Sequence, residues 1–384
     1  MEELKTTKNK GRITSIDVLR GLVIVIMLLD HVRERFFYNY PVSDPIDINE
    51  TSPGLYFSRI LTHLAAPIFV FLTGLSAWLY ANPRRKDPRS ASSFLFKRGL
   101  FLIFIEIAFI NFSWFGEYHT LYLQVIWAIG VSMITLAALS HLPYKVIGIL
   151  GFLIVFGHNA LTPIHFYPDE FGYTLWAILH DRGFIFSNEL LKIKASYPVL
   201  PWIGVILLGY FAGPIFGEKY SPKERIKTLQ LIGGGSLGLL LILRGFNLYG
   251  ETLHWETQDT ILKTVMDFVN FTKYPPSLDF LLWGIGFGLL ILSFLENKQN
   301  KVTDALKTFG SAPMFFYILH LYVLLILYKI AVAIFGISEG KYLSFNHLGY
   351  VWISTVVLAT LLYFPTKKFG DYKRKSNSKW LKYF

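Results

Sequence analysis

Two polar side chains lie near opposite ends of the first long apolar stretch of the chain. Arg20 and His31 are eleven positions apart, and the run 22–29 between them is uninterrupted apolar sequence. At 3.6 residues per turn, both side chains lie on one face of a helix, roughly 16 Å apart along its axis. An imidazole suits general base or proton-transfer chemistry near neutral pH. Because lipid does not tolerate such a face, we expect it to line a bundle interior or a wet cavity. The alternative is a snorkelling arginine and an interfacial histidine.

The composition indicates an all-α polytopic membrane protein. Of the 384 residues, 53% are hydrophobic and only 16% are charged, and apolar runs of about 20 residues recur along the chain. The net charge of +11 does not indicate nucleic-acid binding, because Lys and Arg fall in short loops and tails. The absence of cysteine excludes disulfides and thiolate catalysis. We predict ten membrane helices, at about 14–32, 56–81, 94–113, 119–140, 144–162, 197–216, 227–246, 276–295, 311–335 and 346–365.

Cations concentrate in every second segment between these helices. By the positive-inside rule this alternation predicts that both termini are cytoplasmic. The predicted organisation is a basic cytoplasmic N-terminus at 1–13, one transmembrane domain at 14–365 and a basic cytoplasmic tail at 366–384. We expect this tail to lie on anionic lipid headgroups.

Most ionisable and amide side chains within the predicted helices fall at central-to-external depth. They are His31, His63, Glu106, Asn111, Gln124, Asn159, Asp279 and His320. Because such groups are costly inside a membrane, a cluster at one depth predicts a functional site, although each alone could serve as a hydrogen bond between helices. Three of them are imidazoles, which bind metals, but no His-x-x-His spacing occurs and we expect no metal.

Several stretches carry a family resemblance. An Arg, ten intervening residues and a His in the first helix resembles the hallmark of a group of membrane-bound acyltransferases. Over roughly residues 12 to 365 the chain is similar to a bacterial family grouped with the catalytic domain of lysosomal heparan-alpha-glucosaminide N-acetyltransferase. The matching stretches are SIDVLRG at 15–21, APIFVFLTG at 66–74, KRGL at 97–100, residues 197–198 with 201–205, YPPS at 274–277, and Phe315-Phe316-Tyr317 to His320.

The resemblance implies transfer of an acyl group, expected to be acetyl, from cytoplasmic acyl-CoA to a sugar, glycan or lipid-linked sugar on the far side of the membrane. It assigns Arg20, with Asp17 beside it, to the donor site and His31 to the role of general base. We expect Glu106 or His63 to orient His31. The remaining polar groups are expected to bind the acceptor, namely Asp30, Asn111, Gln124, Asn159, Asp279 and His320.

The resemblance has one departure. The catalytic histidine proposed for the lysosomal enzyme lies in its first external loop, whereas residues 33–55 here contain no histidine. At the position of His31 that enzyme has an amide residue.

A transporter or flippase is the second hypothesis, because the same polar cluster could relay protons or substrate. No inverted repeat and no clear pair of broken helices supports it. Hydrolysis of acyl-CoA by the purified protein would favour the enzyme, and pH-driven uptake into vesicles without acylated product would favour the transporter.

Overall fold

The described part of the chain is mostly helical. A computed structural model describes residues 13–84, 87–337, 342–378 and 380–384, so nearly all of the basic segment 1–13 lies outside it. The α-helices are α1 (Thr14–Phe36), α2 (Pro53–Thr62), α3 (Ala65–Ala81), α4 (Ser92–Ile105), α5 (Asn111–Phe115), α6 (Val125–Leu139), α7 (Tyr144–Gly157), α8 (Tyr173–Leu179), α9 (Leu200–Phe211), α10 (Pro222–Gly245), α11 (Ile261–Phe268), α12 (Leu278–Leu295), α13 (Lys301–Ser311), α14 (Pro313–Phe335) and α15 (Leu348–Lys375).

Each of the ten segments predicted to span the membrane contains helix. Within the described residues, six helices are long and apolar enough to cross a membrane, namely Pro53–Ala81, Tyr144–Leu161, Pro222–Gly245, Leu278–Leu295, Pro313–Phe335 and Leu348–Lys375. Val125–Leu139 and Leu200–Phe216 are shorter apolar helices. Ten spans and two cytoplasmic termini therefore stay predictions.

A small sheet departs from the all-α expectation. Its strands are β1 (Thr120–Leu123), β2 (Gly183–Ser187) and β3 (Lys192–Ala195), in the order β1-β3-β2, with β1 and β3 parallel and β2 and β3 antiparallel. Strand β1 replaces the first turn of the helix predicted at 119–140. This segment is extended because it pairs with β3 and because the Asn111 amide bonds Tyr122 from the other edge, with Oδ1 accepting from Tyr122 N at 2.6 Å and Nδ2 donating to Tyr122 O at 3.1 Å. These bonds satisfy the backbone of an extended segment, which needs no helical partner there.

Helix α1 lies at the centre of the bundle, against α3 and α12 and against α13, α14 and α15. Its crossing with α13 is close: a Cβ on Gly21 would lie 1.8 Å from Leu306 O, and one on Gly310 would lie 1.8 Å from Asp17 O. Only glycine allows backbones to approach so closely. Helix α13 falls in a segment that the sequence predicted as a cytoplasmic loop, and it fixes the register of α1.

Two segments continue beyond their predicted ends. Helix α4 passes through a π-helical turn, Glu106–Ile110, into α5. Helix α15 continues through Pro365 to Lys375, and a 3₁₀ turn, Trp380–Tyr383, follows it. The ring of Phe384 lies 5.2 Å from that of Phe101, so this end of the chain contacts α4.

Candidate active site

One cavity of about 640 Å³ extends along α1 and is bounded mainly by α3, α4, α6 and α14. Arg20 and His31 both line it, as expected from their shared face. We call one end the basic end, lined by Arg20, Arg84, Arg98 and Lys373. We call the other the histidine end, with the polar lining Asp30, His31, Thr62, Tyr197, Lys273 and Tyr317.

At the basic end, Arg20 is held in a fixed position. Its Nη1 donates to Asp17 Oδ1 at 3.0 Å and to Gly310 O at 3.2 Å, and its Nη2 donates to Ser76 Oγ at 2.9 Å. The carbonyl of Gly310 is within reach because of the close crossing of α1 and α13. Asp17 thus orders Arg20, which still lines the cavity.

Arg98 lines the same end without an acidic partner among the described residues. Its Nε is buried without a hydrogen bond, and its guanidinium lies 6.0 Å from the Phe94 ring. Arg84 donates from Nη2 to Phe216 O at 3.3 Å. A guanidinium whose charge is not neutralised by the protein suits an anion such as phosphate.

At the histidine end, a hydrogen-bonded chain holds His31. Its Nδ1 lies 2.7 Å from His320 Nε2, and His320 Nδ1 lies 2.8 Å from Phe316 O. A carbonyl oxygen only accepts, so His320 Nδ1 carries the hydrogen and its Nε2 accepts from His31 Nδ1–H when both rings are neutral. His31 Nε2 is then the unprotonated nitrogen. The ring stands edge-on to Trp114 at 5.3 Å and to Tyr317 at 5.8 Å.

The expected orienting residues are not the ones that hold His31. The sequence predicted Glu106 or His63 for this position, whereas the hydrogen-bond partner is His320 of α14. Glu106 is fully buried and accepts from Trp127 N at 3.1 Å, and His63 is buried with both ring nitrogens unpartnered. Neither lines the cavity. The lateral order of helices around α1 decides this pairing, and hydropathy does not encode that order.

Asp30 lines the histidine end, where an acceptor residue was expected, but two arginines hold its carboxylate. Oδ1 accepts from Arg33 Nη2 at 2.9 Å, and Oδ2 accepts from Arg59 Nη1. Arg33 also donates to Glu34 Oε1 at 3.1 Å. The cluster contains two acidic and two basic groups, so its charges balance within the protein.

The five other expected acceptor residues lie outside the cavity lining, and one of them, His320, contacts His31 instead. The side-chain amide of Asn111 forms hydrogen bonds with the backbone of Tyr122 and with Glu106 O. Asn159 Oδ1 accepts from Leu278 N at 2.8 Å, which satisfies a backbone donor at the start of α12. Asp279 is buried with both carboxylate oxygens unpartnered, and Gln124 is half-buried immediately before α6. Of the six expected acceptor residues, the structure thus brings only Asp30 to the cavity.

Three residues of this site were missed from the sequence: Arg59, Arg98 and Lys273. Lys273 is only 6% exposed and lines the histidine end. Its backbone N–H donates a hydrogen bond to Asp44 Oδ1 at 3.1 Å. Burial raises the pKa of the Asp44 carboxyl, although the charge of Lys273 opposes this. A signal existed for each of the three, because Lys273 precedes the YPPS stretch, Arg98 lies in KRGL and Arg59 begins an apolar segment.

The described residues contain no group of three or more His, Cys, Asp or Glu side chains that could hold a metal ion. The side chains of the cavity offer guanidinium groups at one end and an imidazole with a nitrogen lone pair at the other.

The described part of the chain is a helical bundle with six helices long and apolar enough to cross a membrane, and it holds a cavity with Arg20 at one end and His31 at the other. The heparan-alpha-glucosaminide N-acetyltransferase catalytic family matches residues 12–244, more than half of the chain, and the protein belongs to this family. The match confirms the resemblance to this family over residues 12–244, and membership makes the protein a membrane acetyltransferase. A comparison with curated proteins found no match.

Proposed function

We propose that this protein transfers an acetyl group from acetyl-CoA, or a related acyl-CoA, to a sugar, glycan or lipid-linked sugar on the opposite side of a bacterial inner membrane. The observation that carries the proposal is that Arg20 and His31 line opposite ends of one continuous cavity of about 640 Å³. Donor and acceptor reach it from opposite sides of the membrane.

The donor fits the chemistry of the basic end. Acyl-CoA carries phosphates at one end and its thioester at the other, and the guanidinium groups of Arg98 and Arg20 bind phosphates with directed hydrogen bonds. Between the two ends the lining is largely apolar and includes Ile24, Met27 and Phe69, which suits the pantetheine arm. Arg20 and His31 are roughly 16 Å apart along α1, a span that this arm can reach.

The acceptor is activated at the histidine end. His31 Nε2 takes the proton from the acceptor hydroxyl or amine as its oxygen or nitrogen attacks the thioester carbonyl carbon. The C–S bond then breaks, and the CoA thiolate takes the proton from His31. His320 Nε2 accepts from His31 Nδ1–H throughout, so the imidazolium that forms meanwhile is stabilised by a hydrogen bond.

The orientation of the reaction follows from loop charge. Cations of the inter-helix segments concentrate on the side of the basic end, so acyl-CoA, which is made in the cytoplasm and does not cross lipid, meets that end first. The bilayer and the acceptor are the partners expected.

The test uses the purified protein in liposomes with acetyl-CoA, followed by release of CoA thiol. Wild type releases thiol, His31→Ala releases it about 100-fold to 10,000-fold more slowly, and a control variant of an exposed histidine, His165→Ala, behaves as wild type. Mass spectrometry of envelope glycans from a deletion strain then identifies the acylated product. Proton-driven uptake of a solute, with no thiol release, would instead establish the transporter and overturn the proposal.

A further inference from the structure

A single lysine stands out at the histidine end of the cavity. Of the described residues that line this end, Lys273 is the only lysine or arginine. The nearby Arg33 and Arg59 donate hydrogen bonds to Asp30 and do not line the cavity. Its Nζ makes no hydrogen bond or ion pair with a described residue and lies 5.2 Å from the Tyr274 ring.

Burial makes this arrangement costly. Lys273 is only 6% exposed, and its ammonium forms no close ion pair, although the charges of Asp30 and Asp44 interact with it at longer range. An ammonium withdrawn from water with so little compensation is disfavoured. The backbone at Lys273 is held in place, because its N–H donates to both carboxylate oxygens of Asp44, at 3.1 and 3.3 Å, and its Nζ packs over the Tyr274 ring. A buried, positioned cation that faces a cavity indicates that an anion forms or binds there.

Lys273 also lies close to the residue that acts as the base. Its charge interacts electrostatically with His31 and with Asp30, and all three line one end of the cavity. The thioester must reach this end if His31 is to deprotonate the acceptor beside it. The carbonyl oxygen of that thioester is the atom on which negative charge develops.

We propose that Lys273 is a catalytic residue that stabilises the oxyanion formed on the thioester carbonyl during acyl transfer. This inference rests on the proposed function. As the acceptor bonds to the carbonyl carbon, the C=O electron pair moves to oxygen, and the Lys273 ammonium donates a hydrogen bond to it without losing its proton. When the pair returns, the C–S bond breaks, and the leaving sulfur takes the proton that His31 holds.

The rival role for Lys273 is recognition of an acidic group on the acceptor. Both roles use a cation, but only the oxyanion role affects a reaction in which water is the acceptor. Hydrolysis of acetyl-CoA therefore separates the two, since water has no acidic group to recognise.

The experiment compares Lys273→Met with Lys194→Met in the full-length protein, by release of CoA thiol from acetyl-CoA with water or with glucosamine as acceptor. Lys194 is the matched control because its Nζ also lies 5.2 Å from an aromatic ring, that of Phe184, outside the cavity. We expect Lys273→Met to lower kcat by about 100-fold to 1,000-fold with both acceptors. The acetyl-CoA KM should stay within about threefold, because the donor is held at the other end.

The outcomes are distinct. Normal hydrolysis by Lys273→Met, with or without a raised glucosamine KM, would overturn the oxyanion role. If Lys273→Met does not fold, Lys273→Gln decides in the same way, because it keeps a polar end without the charge. Wild type that releases no thiol with either acceptor would overturn the proposed function itself, and this inference with it.

Discussion

Nδ1 of His31 lies 2.7 Å from Nε2 of His320, although the two residues are 289 positions apart in the chain. The second ring is anchored in turn by a 2.8 Å contact with Phe316 O. A carbonyl at the end of the chain fixes the direction of every hydrogen bond in it, and so leaves the lone pair of His31 Nε2 available to an acceptor. His320 is thus a positioning residue for His31, the part an orienting carboxylate plays in other catalytic sites.

We expect His320→Ala to lower kcat by about tenfold to a hundredfold, because His31 remains but its tautomer and ring orientation are no longer fixed. The acetyl-CoA KM should not change, since His320 lies far from the basic end. Steady-state thiol release, measured over a range of pH, checks this and should also reveal a displaced pH profile. His320→Ala with wild-type kcat and pH profile would show that the ring is only packing.

Arg98→Ala should raise the KM for acetyl-CoA by about tenfold to a hundredfold, since a hydrogen bond to a charged group contributes roughly 1.5–3 kcal/mol. The kcat at saturating donor should change little. Lys97→Ala is the matched control, because Lys97 is adjacent, exposed and outside the cavity lining. An equal rise in KM for both variants would point to general surface charge instead of a phosphate contact.

Gly21→Ala should destabilise the protein by at least about 1–3 kcal/mol, because the added Cβ overlaps Leu306 O and forces α1 and α13 apart. Gly234→Ala is the control, since no atom outside its own helix lies within 4 Å of the added Cβ. Thermal unfolding in detergent measures both. If Gly21→Ala has the same Tm as Gly234→Ala and wild type, the close crossing does not exist in solution.

Asp44→Asn should be more stable than wild type at neutral pH. Burial raises the pKa of Asp44 above its usual 3.8, so the folded state favours the protonated carboxyl. The stability from this group is full below the unfolded-state pKa and is lost as pH rises through the folded-state pKa. The gain from Asn should therefore grow with rising pH and vanish near pH 3.8 and below.

Melting curves across pH measure this difference, with Asp47→Asn on the same loop as an exposed control. A gain that is the same at all pH values, or that appears only in acid, would contradict a raised pKa for the Asp44 carboxyl.

Because the chain has no cysteine, sidedness can be measured with single-cysteine variants on the natural background. We expect Lys219→Cys to be labelled by an impermeant thiol reagent only from the cytoplasmic side, and Glu189→Cys only from the external side. Both residues are exposed, and labelling after detergent treatment controls for reactivity. Labelling of both from one side would exclude the predicted orientation.

The sequence by itself determined the features that depend on local order. The apolar run between Arg20 and His31 specifies a helix, and helical geometry places both side chains on one face, where the structure has them lining one cavity. The motifs around them were sufficient to indicate the family. Helix α13 and strand β1 were missed, because an amphipathic loop helix and a strand held by the Asn111 side chain leave little hydropathy signal.

Only the tertiary structure decided which distant residues complete the site. Glu106 and His63 have side chains suited to a catalytic partner, yet His320 contacts His31, and Lys273 lines the same end of the cavity from a loop. A helix has neighbours on all sides, and its sequence specifies the depth of a polar residue much better than the direction in which it faces. Those directions are set by close crossings such as Gly21 on Gly310, where backbone shape and not side-chain chemistry selects the neighbour.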